Sequence, residues 1–156
     1  MSEEYRVQKQ SIHISILMRE MNTEELWEGE VFLLAHTPFQ TGDPDLEDFL
    51  NSDHDFFPLE FKKGQFSLVN KSSVIYLTME NKDLSKLKEY GIEPRRIRVF
   101  FKEHHSLEGD IYPVLPVEKR RPLDFFNQKI RFLPLYLQDA KAIINTEQVI
   151  YVEDLD

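Results

Sequence analysis

Residues 48–59 read DFLNSDHDFFPL, and residues 124–135 read DFFNQKIRFLPL. At an offset of 76, Asp48, Phe49, Asn51, Phe56, Pro58 and Leu59 return as Asp124, Phe125, Asn127, Phe132, Pro134 and Leu135. Downstream the offset is 75, and Asn70, Val74, Ile75 and Tyr76 return as Asn145, Val149, Ile150 and Tyr151. Upstream, Glu28-Gly29 matches Glu108-Gly109 at an offset of 80. The matches keep their order along the chain, which chance identities do not. The one-residue change falls within 62–67, a stretch that reads as a hairpin loop and tolerates deletion. The chain therefore reads as two copies of one module of about seventy residues.

Each copy reads as five strands. Ile12, Ile14 and Ile16 alternate with polar residues, as do Ile97, Val99 and Phe101, so each first strand buries one face. The second strand carries Trp27, Val31 and Leu33, or Leu107 and Ile111, with Gly29 or Gly109 inside it. A glycine there marks a bulge or sharp bend. Pro44 and Pro122 stand near the start of a short helical turn. Asp43 is its expected cap in the first copy, and Asn51 and Asn127 are expected to close it in the left-handed conformation. Strand three spans 56–61 or 132–137, its proline suggesting an edge position or a strand start. Strand four spans 66–69 or 142–144. A tight turn from Asn70 or Asn145 leads to strand five, 74–79 or 149–153.

Between the copies, Asp83 and Gly91 bracket a two-turn helix with Leu84 and Leu87 at helical spacing, stopped by Pro94. The expected organisation is a first module over 9–80, a helical linker over 81–94 and a second module over 95–156.

Five short strands, a glycine in strand two and a one-turn link before strand five resemble an SH3-like or Sm-like small barrel. The segments LVNKSSVIYL (68–77) and IINTEQVIYV (143–152) resemble the strand–turn–strand that ends such barrels. The resemblance implies a mainly β fold of two tandem five-stranded SH3-like/Sm-like small barrels joined by a short helix. Sm-like proteins bind RNA through an Asp and an Asn after strand two, with a basic residue and a glycine in the last turn. Asp48/Asn51 and Asp124/Asn127 are similar to the first pair but one residue too closely spaced. The last turns read Asn70-Lys71-Ser72 and Asn145-Thr146-Glu147, without the glycine. The fold is carried over and the RNA-binding activity is not.

Composition narrows the chemistry. Twelve Phe, six Tyr and one Trp suit β structure. With no cysteine, disulfides, thiolate catalysis and Cys-ligated zinc are excluded, which fits a reducing cytoplasm. The polar start MSEEYRVQKQ lacks an apolar signal core, and no run is long enough to span a bilayer. The expectation is a cytoplasmic protein without a membrane partner. A net charge of −9 weighs against generic nucleic-acid binding. No GxSxG, Walker loop, GxGxxG or HExxH occurs, so no catalytic residue, metal ligand or cofactor is assigned.

Two charged features stand out. The acidic loop holds Asp43, Asp45, Glu47, Asp48, Asp53 and Asp55, with His54. Counted from Asp43 as a calcium loop, it has Asp48 where glycine is needed and His54 where glutamate is needed, so it reads as solvated surface. The basic clusters Arg95, Arg96, Arg98 and Lys119, Arg120, Arg121 flank strands one and two of the second copy. If those strands form a hairpin, its ends bring the clusters into one patch near Phe100, Tyr112 and Phe126, able to grip nucleic acid, a nucleotide or an acidic protein.

Residues 9–80 hold 5 basic and 13 acidic side chains, whereas residues 95–156 hold 10 of each. The copies share a fold and differ in surface charge. The basic patch is thus expected either to dock on the acidic loop, within a chain or between chains of a homodimer, or to recruit a separate partner. The functional expectation is a non-enzymatic protein-binding adaptor or regulator using barrel edges and these surfaces. The alternative is a nucleic-acid or nucleotide binder using the basic patch.

Overall fold

The structure is a computed structural model that describes residues 9–21, 25–34, 45–62 and 64–156. The first half contains β1 (Lys9–Met18), β2 (Trp27–Leu34), α1 (Leu46–Leu50), β3 (Phe56–Phe61), β4 (Phe66–Asn70) and β5 (Val74–Met79). After α2 (Leu84–Glu89) come β6 (Arg95–Phe101), β7 (Ser106–Ile111), α3 (Pro122–Phe126), β8 (Phe132–Tyr136), β9 (Lys141–Asn145) and β10 (Val149–Asp154). All ten strands lie in one antiparallel, unclosed sheet, ordered β10-β6-β7-β8-β9-β5-β1-β2-β3-β4. The expected pair of separate barrels is replaced by this single sheet, because β9 of the second half hydrogen-bonds to β5 of the first.

Within each half the order is the same: fifth, first, second, third, fourth. The registers agree too. Phe56 faces Asn70 and Glu60 faces Phe66, as Phe132 faces Asn145 and Tyr136 faces Lys141. Ile14 faces Gly29, and Ile97 faces Gly109. Both fifth strands carry a bulge at the same place, which skips Ile75 and Ile150. The glycines are required by close approach. A Cβ on Gly109 would lie 2.7 Å from the Tyr136 carbonyl oxygen, and one on Gly29 would lie 2.9 Å from the Glu60 oxygen. The prolines also find their reason: the β2–β3 pairing ends at Leu59 and β7 meets β8 only at Tyr136, so Pro58 and Pro134 are locally on an edge.

Three local expectations change. Asp45, not Asp43, caps α1, accepting the Glu47 N–H at 2.8 Å; Asp43 and Pro44 lie outside the described residues. Asn51 and Asn127 end their helices with φ of −86° and −90°, so neither is left-handed. Asp83 precedes α2, but its side chain does not cap it; Asn81 accepts the Leu84 N–H instead. Gly91 does adopt the left-handed conformation that ends α2, at φ 69°.

Two cores straddle the sheet. One gathers Ile14, Ile16, Val31, Leu50, Phe57 and Leu59 of the first half, and receives Phe132 and Ile143 from the second. The other gathers Ile97, Val99, Phe101, Leu133 and Ile144 of the second half, and receives Leu17 and Ile75 from the first. The exchange follows from strand periodicity, since neighbours Ile143 and Ile144 on β9 point to opposite faces. Among the described residues, no helix is long and apolar enough to cross a membrane.

Candidate functional site

The junction of the halves is itself a strand-addition joint. Tyr76, Leu77, Thr78 and Met79 on β5 face Ile144, Ile143, Ala142 and Lys141 on β9. Side chains lock this register. The Asn51 amide donates to the Phe132 carbonyl at 3.0 Å, and its oxygen accepts the Phe132 N–H at 2.8 Å. Buried Asn145 donates to the carbonyls of Lys71 and Val74 at 3.2 and 2.9 Å. The same Asn145 accepts the Glu147 N–H and so shapes its own turn, as Asn70 does by accepting the Ser72 N–H. Gln148 and Arg131 both reach Ser72, at 2.8 and 2.9 Å.

A polar cluster closes one end of the joint. The nearly buried Lys141 ammonium contacts Glu47 directly and Asp83 at 3.0 Å. The Tyr136 hydroxyl donates to Asp83 at 2.9 Å. Burial pushes the Glu47 carboxyl up against the pull of Lys141. Burial also raises Asp83, but hydrogen bonds from Lys141 and Tyr136 outweigh it and hold Asp83 low. For Lys141, burial opposes the ammonium, and the attraction of Glu47 and Asp83 wins, so its pKa is raised. A nucleophilic lysine needs the opposite shift. This lysine is a structural cation between two carboxylates. The cluster borders a groove of about 920 Å³ between β1, β5 and the start of α1, lined by His13, Ser15, Asp45, Thr78 and Asp83 among others.

The acidic loop is divided. Glu47 serves the joint and Asp45 the helix cap, while Asp53 and Asp55 are exposed. Among the described residues, no group of His, Asp and Glu is arranged to hold a metal. His13 pairs with Glu30 on the surface at 3.0 Å, His54 is exposed, and His104 and His105 sit in the β6–β7 turn. His36 lies outside the described residues.

The first basic cluster is heavily paired. Arg95 contacts Asp154 at 2.7 Å, Arg96 contacts Glu108 at 3.0 Å and Asp110 at 3.5 Å, and Arg98 contacts Glu108 at 2.6 Å. Strand register explains this, because Arg98 lies opposite Glu108 and Arg96 opposite Asp110. In the second cluster Arg121 pairs with Asp124 at 2.9 Å, and Arg120 donates to the Leu115 carbonyl at 2.7 Å. Lys119 is exposed. Neighbouring carboxylates thus largely compensate the charge that the sequence places here.

The outermost strands are β4 and β10. Their outer sides have no strand neighbour among the described residues. Phe66 and Leu68 on β4, and Ile150 and Tyr151 on β10, are exposed, and Phe56 is exposed beside them on β3. Tyr151 stacks on Phe100, with ring centroids 4.3 Å apart. Exposed apolar edges of this kind invite pairing with another strand. Sequence reasoning named barrel edges in general and did not single out these residues. Nor did it find Lys141, Asp83 and Tyr136. The available signal was a lysine heading the otherwise apolar run Ala142–Ile144.

The chain matches no protein-family model, no curated protein and no solved structure.

Proposed function

We propose that the chain is a non-enzymatic protein-interaction module, an adaptor or regulator built from a duplicated five-stranded β unit that resembles an SH3-like or Sm-like small barrel. It binds by strand addition at β4 and β10. The observation that carries this reading is the pair of open edges bearing Phe66 and Leu68, and Ile150 and Tyr151. Main-chain hydrogen bonds would give such a contact its affinity, and the side chains its specificity. The repeated strand order and registers support the duplication.

The nucleic-acid alternative draws on arginines that carboxylates already hold, at 2.6 to 3.0 Å for the closest pairs. The test compares wild type with the double variant Leu68→Lys/Ile150→Lys as baits in native lysate, read by mass spectrometry. A lysine on an edge strand discourages pairing, so partners should fall away from the double variant. Equal capture by both baits overturns the edge reading. A fluorescent oligonucleotide titrated at two salt concentrations should show no tight binding. Tight, salt-sensitive binding lost on changing Arg95, Arg96, Arg120 and Arg121 would favour the alternative.

A further inference from the structure

We infer that the partner of each edge is a second copy of this chain, joined head to tail, β10 of one against β4 of the next. The inference rests on the edge reading above and names its partner.

The fully buried apolar residues that cross the internal joint, Leu17, Ile75, Phe132 and Ile143, have equivalents at or beside a free edge. Ile75 has no exposure, and Ile150, in the same bulge, is 62% exposed. Ile143 has none, and Leu68 is 69% exposed. Phe132 is 1% exposed and Phe56 53%. Leu17 is buried, and its equivalent Phe100 is half-buried beneath Tyr151. The β5 side of the joint therefore recurs on β10, and the β9 side recurs on β4. The two free edges are the complementary halves of one joint.

The asparagine contacts recur, whereas other polar contacts change: Arg131 and Gln148, which reach Ser72, map onto Asp55 and Ser73, and Ser72 maps onto Glu147. Asn127 stands where Asn51 clasps Phe132, and Phe56 stands where Phe132 is clasped. Asn70 stands where Asn145 reaches the carbonyls of Lys71 and Val74, whose equivalents are Thr146 and Val149. The ion pair Glu47–Lys141 maps onto Leu123 and Phe66. Both of these are exposed. A charged pair has become an apolar pair, with Phe66 on the edge strand β4 and Leu123 on α3. Two residues facing each other across a contact would change in this way.

The copied register places Tyr151 opposite Val69, Val152 opposite Leu68 and Glu153 opposite Ser67 of the next chain, from the pairs Tyr76–Ile144, Leu77–Ile143 and Thr78–Ala142. Such a contact is heterologous. Repeated, it yields a closed ring if the rotation per chain closes, and a filament otherwise.

The test is sedimentation of four samples at micromolar concentration: wild type, Leu68→Lys, Ile150→Lys, and an equal mixture of the two variants. Wild type should sediment as a multiple of the chain. Each variant keeps one working edge and should sediment as a single chain. The mixture should form a species of two chains, since the intact β10 of one variant meets the intact β4 of the other. A single-chain wild type overturns the inference, as does a mixture that stays single. A variant that pairs with itself also overturns it, because that contact would be β4 on β4 or β10 on β10. Thermal melts check that each variant folds; if a lysine prevents folding, Leu68→Thr and Ile150→Thr replace the pair. A single-chain wild type that still captures lysate proteins through its edges removes only the head-to-tail partner and leaves the interaction reading standing.

Discussion

The Asn51 side chain pairs with both backbone polar groups of Phe132, at 3.0 and 2.8 Å, so one residue of the first half completes the backbone of the second. Phe132 is buried, and without Asn51 its N–H would lose this acceptor. Asn51→Ala should cost about 1–3 kcal/mol, the range for leaving a buried polar group unpaired. Urea unfolding measures it. Asn127→Ala should cost under about 0.5 kcal/mol under single-chain conditions, as a surface change does. Equal losses for the two variants would show that Asn51 acts only through its own helix.

Lys141 of the second half holds one carboxylate of the first half, Glu47, and one of the linker, Asp83. Lys141→Met should destabilise by about 1–3 kcal/mol at neutral pH, because it leaves the partly buried Glu47 carboxylate without its cation. The double change Glu47→Leu/Lys141→Phe installs the residues found at the equivalent positions, Leu123 and Phe66. It should recover more than half of that loss, since replacing both members of a buried pair is far milder than removing one. No recovery would mean that the lysine acts through Asp83 or Tyr136 alone.

The same cluster contributes to stability at alkaline pH. Burial, and then the hydrogen bond to Asp83, push the Tyr136 hydroxyl above the ordinary tyrosine range. Lys141 is also raised, its carboxylate partners outweighing burial. Both folded values exceed the unfolded ones, which lie near pH 10. Their stabilising contributions are therefore complete below about pH 10 and are lost as pH rises through the folded values. Urea midpoints should hold from about pH 7 to about pH 9.5 and then fall. In Tyr136→Phe the fall should be shallower, after a loss of about 1 kcal/mol for the hydrogen bond at neutral pH. An unchanged slope would remove Tyr136 from the account.

Gly109→Ala tests the backbone crossing. Its Cβ would meet the Tyr136 carbonyl oxygen at 2.7 Å, where a main-chain atom has little room to yield. The loss should be about 1–3 kcal/mol, the usual scale for overpacking. A thermal melt within error of wild type would show that β7 and β8 can separate without cost.

Local pattern made the strands, both asparagine turns and the linker helix legible, because alternation, capping and glycine chemistry act over a few residues. The joint was not legible. Ile75 and Ile150 are the same residue in the same motif, yet one is buried and the other exposed. Only the long-range pairing of β5 with β9 separates them, and local periodicity carries no trace of it. Asn51 read as a helix terminator for the same reason: its partner lies 81 residues away. The basic clusters were legible as charge, but the carboxylates that hold Arg95, Arg96 and Arg98 sit on the neighbouring strands β7 and β10, whose register the composition cannot supply. The exchange of Glu47 and Lys141 for Leu123 and Phe66 could be seen in the aligned halves. Its meaning required knowing that Glu47 and Lys141 touch.

The absence of native cysteine allows a direct measurement of the edge contact. In the copied register Ser67 lies opposite Glu153 of the next chain, as Ala142 lies opposite Thr78 inside the joint. Residues directly opposite in an antiparallel pair have Cα atoms about 4.5–5.5 Å apart, within reach of a disulfide. The double variant Ser67→Cys/Glu153→Cys, mildly oxidised, should run on a denaturing gel as covalent multiples of the chain. A control with the cysteine moved from 153 to 152, facing Leu68 instead, should link far more weakly. A band at one chain mass throughout, or equal linking in both registers, would contradict the head-to-tail joint.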